Sequence, residues 1–280
     1  MECIVHQIYI PPALGEFTTF QLRTKALADD VGKKSEGKSF GPGVKRAYAA
    51  IGKRFGEAFD NFTCERCGES FGDVATWGTD RVLFIDSLSG MSKIIMNLVA
   101  GDIATKTLPN WANAMEHQMV LITEMVQGAK CHFIMIGHPD KLVDAVHGGV
   151  RIQPSALGNK NSPQIPTMFH DVIWAHMKGK KYLWSTIDAQ ADLKHQFLES
   201  SNELPPDFTP LFKAWKARSE FMPLDGAKIL LYGDAGKGKT HALGTLPKSF
   251  EPGKIFAIFT ESGQPTLAKS LSLNLASQPR

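Results

Sequence analysis

The sequence is short of cysteine, of long apolar runs and of any strong charge bias. Four cysteines in 280 residues (Cys3, Cys64, Cys67 and Cys131) are too few for a disulfide scaffold. No apolar run approaches the ~18 residues of a membrane-spanning helix. The first residues lack the basic-then-apolar pattern of a secretory leader. A net charge of +3 is compatible with a polyanionic partner but does not call for one. These absences leave a reducing cytoplasm as the expected compartment and exclude a membrane partner. What is present, 43% hydrophobic and 21% charged residues, suits one large globular domain or two small ones.

The most specific signal stands late in the chain. An apolar, strand-like run, Lys228-Ile229-Leu230-Leu231-Tyr232, leads into Gly233-Asp234-Ala235-Gly236-Lys237-Gly238-Lys239-Thr240. That is G-x-x-x-x-G-K-T, the pattern of a phosphate-binding loop. Gly233, Gly236 and Gly238 let the backbone turn tightly. The N–H groups of the loop, those of Asp234, Ala235 and Lys237 included, then point at phosphate oxygens. Lys239 sets a cation against the β- and γ-phosphates, and the Thr240 hydroxyl can ligate Mg²⁺. A helix expected over His241–Leu246 places His241 and its positive end at the anion. Roughly 40 residues follow Thr240, too few to complete a doubly wound sheet with its crossover helices. The rest of the domain must therefore lie upstream.

Taken in order, Cys3–Ile10 reads as a buried strand ended by Pro11-Pro12. Helical spacing follows over Glu16–Val31 and Val44–Phe62, around a Gly, Lys and Ser-rich loop from Gly32 to Gly43. Cys64-Glu65-Arg66-Cys67-Gly68 is half of a zinc knuckle. A zinc site needs four ligands, and no second C-x-x-C or H-x-H pair lies nearby. Cys3 and Cys131 fall in expected core strands. A turn with two free thiols is the expectation, with zinc at Cys64 and Cys67 the alternative.

Val82-Leu83-Phe84-Ile85-Asp86 is the second strong signal, a buried strand ending in an acid. In P-loop enzymes the strand beside the P-loop strand ends in an acid that holds Mg²⁺. Helices are expected over Met91–Ala100 and Trp111–Gln127, and a strand over Lys130–Gly137. His138 at the end of that strand is placed to sense the γ-phosphate. Asp140–Lys160 reads as loop. Thr167–Ala175 and Lys181–Ile187 read as strands joined by Lys178-Gly179-Lys180, whose lysines could reach the ATP of a neighbouring subunit. Short helices are expected over Asp192–Ser200 and Phe212–Arg218. After the P-loop, a strand over Lys254–Phe259 ends in Thr260-Glu261-Ser262, and Glu261 suits a general base orienting attacking water. Leu267–Ala276 has helical spacing.

When the end of the chain is joined to its beginning, the motifs fall into a familiar order: P-loop, Glu261, Asp86, His138. The quoted GDAGKGKT with its preceding KILLYG, Thr260–Ser262 (TES), Phe84–Ser89 (FIDSLS), Ile134–His138 (IMIGH) and Leu204–Phe208 (LPPDF) carry a resemblance. In this joined order the chain resembles the RecA-like P-loop ATPases, and among them the phage recombination ATPases of the Sak type. The resemblance implies an α/β fold, a RecA-like P-loop NTPase with a mostly parallel central sheet flanked by helices. The Walker A strand is then placed C-terminally by circular permutation. It implies a single domain over 1–280, with 222–280 as the Walker A part and 1–31 and 78–221 as the remainder of the core. The segment 32–77, with its C-x-x-C, is then an insertion.

The resemblance also implies roles. Gly233 to His241 would cradle ATP, Thr240 and Asp86 would hold Mg²⁺, and Lys239, Glu261 and His138 would be catalytic. Lys178 or Lys180 would act in trans within a homo-oligomer. Single-stranded DNA and phage single-strand binding or annealing proteins are the implied partners, in the host cytoplasm if the chain is phage-encoded. The order itself has three explanations: a true permutant, a reading frame opened at an arbitrary point of a circular genome, or residues 222–280 completing a neighbour's domain. The first two are favoured, and a true permutant should place Arg280 near Met1. Two alternatives to an ATPase on DNA stand. One is an ATP-dependent loader or binding protein with negligible turnover. The other is a permuted GTPase, for which Asn159-Lys160-Asn161-Ser162 lacks the Asp of the guanine motif.

Overall fold

The structure, a computed structural model, describes residues 3–10, 55–100, 105–143, 149–261 and 263–276. Its strands are β1 (Val5–Tyr9), β2 (Val82–Asp86), β3 (His132–Gly137), β4 (Pro139–Val143), β5 (Val150–Pro154), β6 (Asp171–Lys178), β7 (Lys181–Ser185), β8 (Lys228–Tyr232) and β9 (Ile255–Phe259). The helices are α1 (Leu88–Ala100), α2 (Leu108–Gly128), α3 (Gly158–Asn161), α4 (Thr209–Ser219), α5 (Lys239–Leu243) and α6 (Gln264–Ala276). Seven strands form one sheet in the order β1-β9-β2-β3-β8-β6-β7, parallel except for β7. The expected α/β architecture, a mostly parallel sheet flanked by helices, is what the chain forms.

Parallel strands buried on both faces need unbroken apolar runs, and β2, β3, β8 and β9 are buried at every position. Alternate residues feed opposite layers. Leu83, Ile85, Phe133, Met135 and Leu230 pack with Met91, Ile94 and Ile95 of α1 and Ile122 of α2. Val82, Phe84, Ile134, Ile136, Ile229 and Leu231 pack with Leu211, Phe212 and Trp215 of α4, Leu243 of α5 and Leu267 of α6. Trp77, Trp184 and Trp215 are core residues, as their apolar neighbours in the sequence imply.

The strand carrying the G-x-x-x-x-G-K-T motif, eighth in the chain, lies in the middle of the sheet between β3 and β6. Both β8 and β9 insert among strands of their own chain rather than extending an edge. Asp86 was expected on the strand beside the P-loop strand. Instead β3 lies between β2 and β8, and it is His138 that follows the strand paired with β8.

Several local expectations change. Residues 192–200 form no helix, because the Asp171 carboxylate accepts N–H bonds from Gln196, Phe197 and Leu198 and holds that stretch as an irregular cap. The Asp140–Lys160 loop contains a two-stranded antiparallel ladder, β4 with β5. Residues 165–168 form a 3₁₀ turn, so β6 begins at Asp171 and runs on to Lys178. The helix expected over His241–Leu246 starts at Lys239 and ends at Leu243, where Gly244 and then Pro247 stop it. The helices expected over Glu16–Val31 and the first part of Val44–Phe62, the loop at Gly32–Gly43, and the meeting of Arg280 with Met1 lie outside the described residues.

Candidate functional site

A parallel sheet delivers the ends of its strands to one edge. Pairing register sets Asp86 level with Ile136 and Phe259, and Gly137 level with Tyr232. The residues that follow these positions, His138, Glu261 and the loop from Gly233, therefore meet above the middle of the sheet. The carboxyl edge of a parallel sheet is where open α/β folds bind ligands.

The loop from Gly233 to Gly238 returns tightly on itself. Gly236 and Gly238 have φ of +75° and +80°, the left-handed region that side-chain-bearing residues avoid. Gly233 answers a different demand: a Cβ there would lie 2.2 Å from the Ala175 carbonyl oxygen on β6. Lys239, nearly buried, donates from Nζ to the carbonyls of Gly233 (2.7 Å) and Asp234 (3.0 Å). Burial holds its pKa below the ordinary lysine value, against the pull of Asp86, Glu261 and Asp234. With only five residues, α5 supplies little macrodipole, so what positive potential the loop can offer a ligand comes from its N–H groups and Lys239. The side chain of His241 turns away, with Nδ1 against the Ser270 hydroxyl at 2.7 Å, and ties α5 to α6.

Thr240 stands beside Asp86, its hydroxyl donating to Oδ2 at 2.9 Å. Burial pushes the Asp86 carboxyl up to about 6, and the Glu261 charge adds to the rise, while Thr240, Lys239 and His138 oppose it. Glu261 accepts from His138 Nε2 at 3.1 Å. That contact, the Ser87 hydroxyl and the charges of His138 and Lys93 hold Glu261 below the usual carboxylate range despite its partial burial.

A clamp fixes the two acids relative to each other. The Ser87 N–H donates to Thr260 Oγ1 at 2.8 Å, and the Thr260 hydroxyl donates to the Ser87 carbonyl at 2.9 Å. Thr260 was not picked out from sequence; a hydroxyl beside a strand-end acid was the available signal. Tyr182 of β7, which lies against Gly238 with ring atoms 2.9 Å from where a Cβ would stand, was likewise missed.

The remaining sequence candidates lie elsewhere. Lys178 pairs with Glu203 of its own chain, and Lys180 is exposed at the tip of the β6–β7 hairpin. Asn161 is buried and donates to the Met115 carbonyl (2.8 Å) and Gln118 Oε1 (3.2 Å), so it packs α3 on α2 and is not presented to a base. Cys64 and Cys67 sit far along the chain from the loop, beside β1. Among the described residues no helix is long and apolar enough to cross a membrane. No family model matches the chain, and neither the curated proteins nor the solved structures yield a match.

Proposed function

We propose that the chain binds ATP with Mg²⁺ in the loop Gly233–Thr240 and hydrolyses it as a permuted RecA-like ATPase acting on single-stranded DNA. One observation carries the reading. Lys239, the Thr240–Asp86 pair and the His138–Glu261 pair converge at one sheet edge from four separate strands, the roles assigned to them in sequence being complementary parts of phosphoryl transfer. The permuted order is supported by the sheet. β1 lies parallel beside β9, and α6 follows β9, so the joined order would make a β-α-β step between neighbouring parallel strands. The polymer, single-stranded DNA, rests on the resemblance alone.

The site suits Mg²⁺ by donor chemistry. A hydroxyl and a buried carboxylate side by side are hard oxygen ligands, and the raised Asp86 pKa marks a carboxylate short of compensating charge. Thr240 and Asp86 would hold the ion, and bound there it would neutralise charge on the β- and γ-phosphates. Lys239 exchanges its two carbonyl partners for phosphate oxygens. Glu261, held below the ordinary range by His138, is a weak proton acceptor; it acts by staying ionised and orienting water. His138, just past the end of the strand beside β8, would couple that carboxylate to the phosphate side of the site. The loader reading, ATP binding with negligible turnover, is favoured by no specific contact.

ATP turnover with and without single-stranded DNA, for the wild type and Glu261→Gln, tests the proposal. Turnover that needs Mg²⁺, rises with DNA and falls in the variant supports it. Equal, slow hydrolysis by both proteins under both conditions overturns it in favour of a loader. Competition by GTP better than by ATP overturns the choice of base.

A further inference from the structure

We propose that Cys3, His6, Cys64 and Cys67 form a structural zinc site that pins the 62–72 hairpin to the outer edge of β1. The Sγ atoms of the three cysteines and a ring nitrogen of His6 all lie within 4.8 Å of one another. A tetrahedral zinc, with Zn–S near 2.3 Å and Zn–N near 2.0 Å, sets its ligand atoms roughly 3.5–3.8 Å apart. The cluster is therefore close to the size of a single ion's coordination shell. Cys67 Sγ and His6 Nδ1 already stand at 3.5 Å. Three of the chain's four cysteines converge here, while Cys131 is buried beside β3.

Sequence spacing shows only half of this site, because no second C-x-x-C or H-x-H pair stands near Cys64 and Cys67. The missing half is Cys3-x-x-His6. In a regular strand, residues three apart point to opposite faces. A bend at Ile4, just before β1 begins, breaks that alternation and lets both side chains serve one centre.

The other half is shaped as a knuckle. Cys64 N–H donates to the Glu69 carbonyl at 2.9 Å and Gly68 N–H to the Cys64 carbonyl at 2.8 Å, with Thr63 and Ser70 bridged across the turn. Gly68 has φ +75°, which the turn requires of it. The His6 ring is held between Phe71 (centroids 4.1 Å apart) and Phe256 (5.3 Å), which fixes Nδ1 toward the sulfurs.

Three thiolates and an imidazole select zinc over hard cations. Four protein ligands leave no open position, which is the arrangement of a structural rather than a catalytic centre. Its place agrees: Cys3 and His6 lie toward the amino end of β1, whereas the candidate active site occupies the carboxyl edge. Among the described residues β1 is an outer strand of the sheet. The knuckle covers it, with Glu65 N–H donating to the Gln7 carbonyl and Glu65 Oε2 accepting from Tyr9 N–H, both at 3.0 Å. Zinc would thus close a sheet edge that otherwise invites pairing with another chain.

Elemental analysis of the untagged full-length chain, purified under reducing conditions without chelator, tests this. The expected result is one zinc per chain, retained in Cys131→Ser and lost in Cys67→Ser. Cobalt substitution should give tetrahedral d–d bands with intense thiolate-to-metal charge transfer. If Cys67→Ser does not fold, Cys3→His serves instead: it keeps four ligands, so it should keep one zinc with weaker charge transfer. Removing the metal should lower the melting temperature and leave ATP affinity at the distant loop unchanged, a readout that stands whether or not the chain hydrolyses ATP. Metal well below one per chain that is not restored by added zinc overturns the proposal. So does equal loss in Cys131→Ser, an octahedral cobalt spectrum, or a disulfide among Cys3, Cys64 and Cys67 in the freshly purified protein.

Discussion

The two ends of β8 each bury a lysine, and they are not alike. At the amino end Lys228 donates to the carbonyls of Ala129 and of Cys131, the latter at 2.8 Å, nearly a hundred positions earlier in the chain. On either side of it, Ala227 N–H donates to His132 Nδ1 (2.9 Å) and Lys228 N–H to His170 Nδ1 (3.0 Å). At the carboxyl end Lys239 donates only to its own loop, five and six residues back, and faces Asp86 and Glu261. The two are buried alike, at 5% and 7% exposure, and burial holds both pKa values down. Burial therefore does not tell the two lysines apart. The partners do: Lys228 joins two distant pieces of the fold, whereas Lys239 has partners it can give up for a ligand without parting any elements.

The comparison breaks first at Glu261. Replacing it with Gln should leave ATP affinity intact and lower kcat by about 10²-fold or more, the cost of misplacing a reacting group by about 1 Å. Steady-state turnover with a separate binding titration reads this. A parallel loss of affinity would show that Glu261 holds the loop rather than water. Next, Lys239→Ala should lower kcat/KM by about 10²–10³-fold, as for removal of one preorganised charge donor. It should cost less stability in urea titration than Lys228→Ala, because the two carbonyls it frees, that of buried Gly233 and that of half-buried Asp234, belong to its own loop and join no separate elements. Lys228→Ala should do the reverse. It strands two carbonyls between packed elements and should cost about 2 kcal/mol of stability with KM for ATP unchanged. If Lys228→Ala alters ATP affinity and Lys239→Ala alters only stability, the assignment of the two lysines is inverted.

Much of the upper end was legible in the sequence, and little of the lower. The motif from Gly233 to Thr240 and the strand-end acids Asp86 and Glu261 are signals because chemistry fixes residue type at fixed places relative to a strand. The strands themselves were legible because a parallel sheet demands apolar runs. What escaped depends on tertiary pairing. No spacing rule places Thr260 against Ser87, or Cys3 and His6 against Cys64 and Cys67, since those contacts join segments about 60 to 170 positions apart. The strand over Lys130–Gly137 was expected, but its place between β2 and β8 was not, for the same reason: sheet order is set by packing, not by chain order. The helix expected over residues 192–200 failed because its apolar spacing could not reveal that Asp171 would take up its N–H groups. Lys228 and His132 read as ordinary strand residues, with nothing to mark a buried charge beside two histidines.

The smallest effect tests the lower end through pH. His132 is buried, accepts the Ala227 N–H at Nδ1, and packs against Phe212, Trp215 and Phe250. Burial first, and then the Lys228 charge, depresses its pKa from 6.5 to about 3. A second proton would displace the Ala227 bond and set one cation beside another. Between pH 6.5 and 3 the unfolded chain therefore binds a proton that the folded chain refuses, so stability is full above 6.5 and falls as pH drops through that window. For this one group the loss from pH 7.5 to 5.5 is on the order of 1 kcal/mol. His170, lowered for the same reasons, acts with the same sign. Urea midpoints across that range should show the decline, and His132→Phe, which keeps the aromatic packing but cannot take a proton, should flatten it while lowering stability at every pH by the lost hydrogen bond. An equal slope in wild type and His132→Phe would move the acid sensitivity away from the foot of β8. Lys239→Ala should alter the slope through a different group: Asp86, raised to about 6 and facing that lysine, titrates in the same window with the opposite sign, gaining stability as pH falls, and loses the opposing Lys239 charge in the variant.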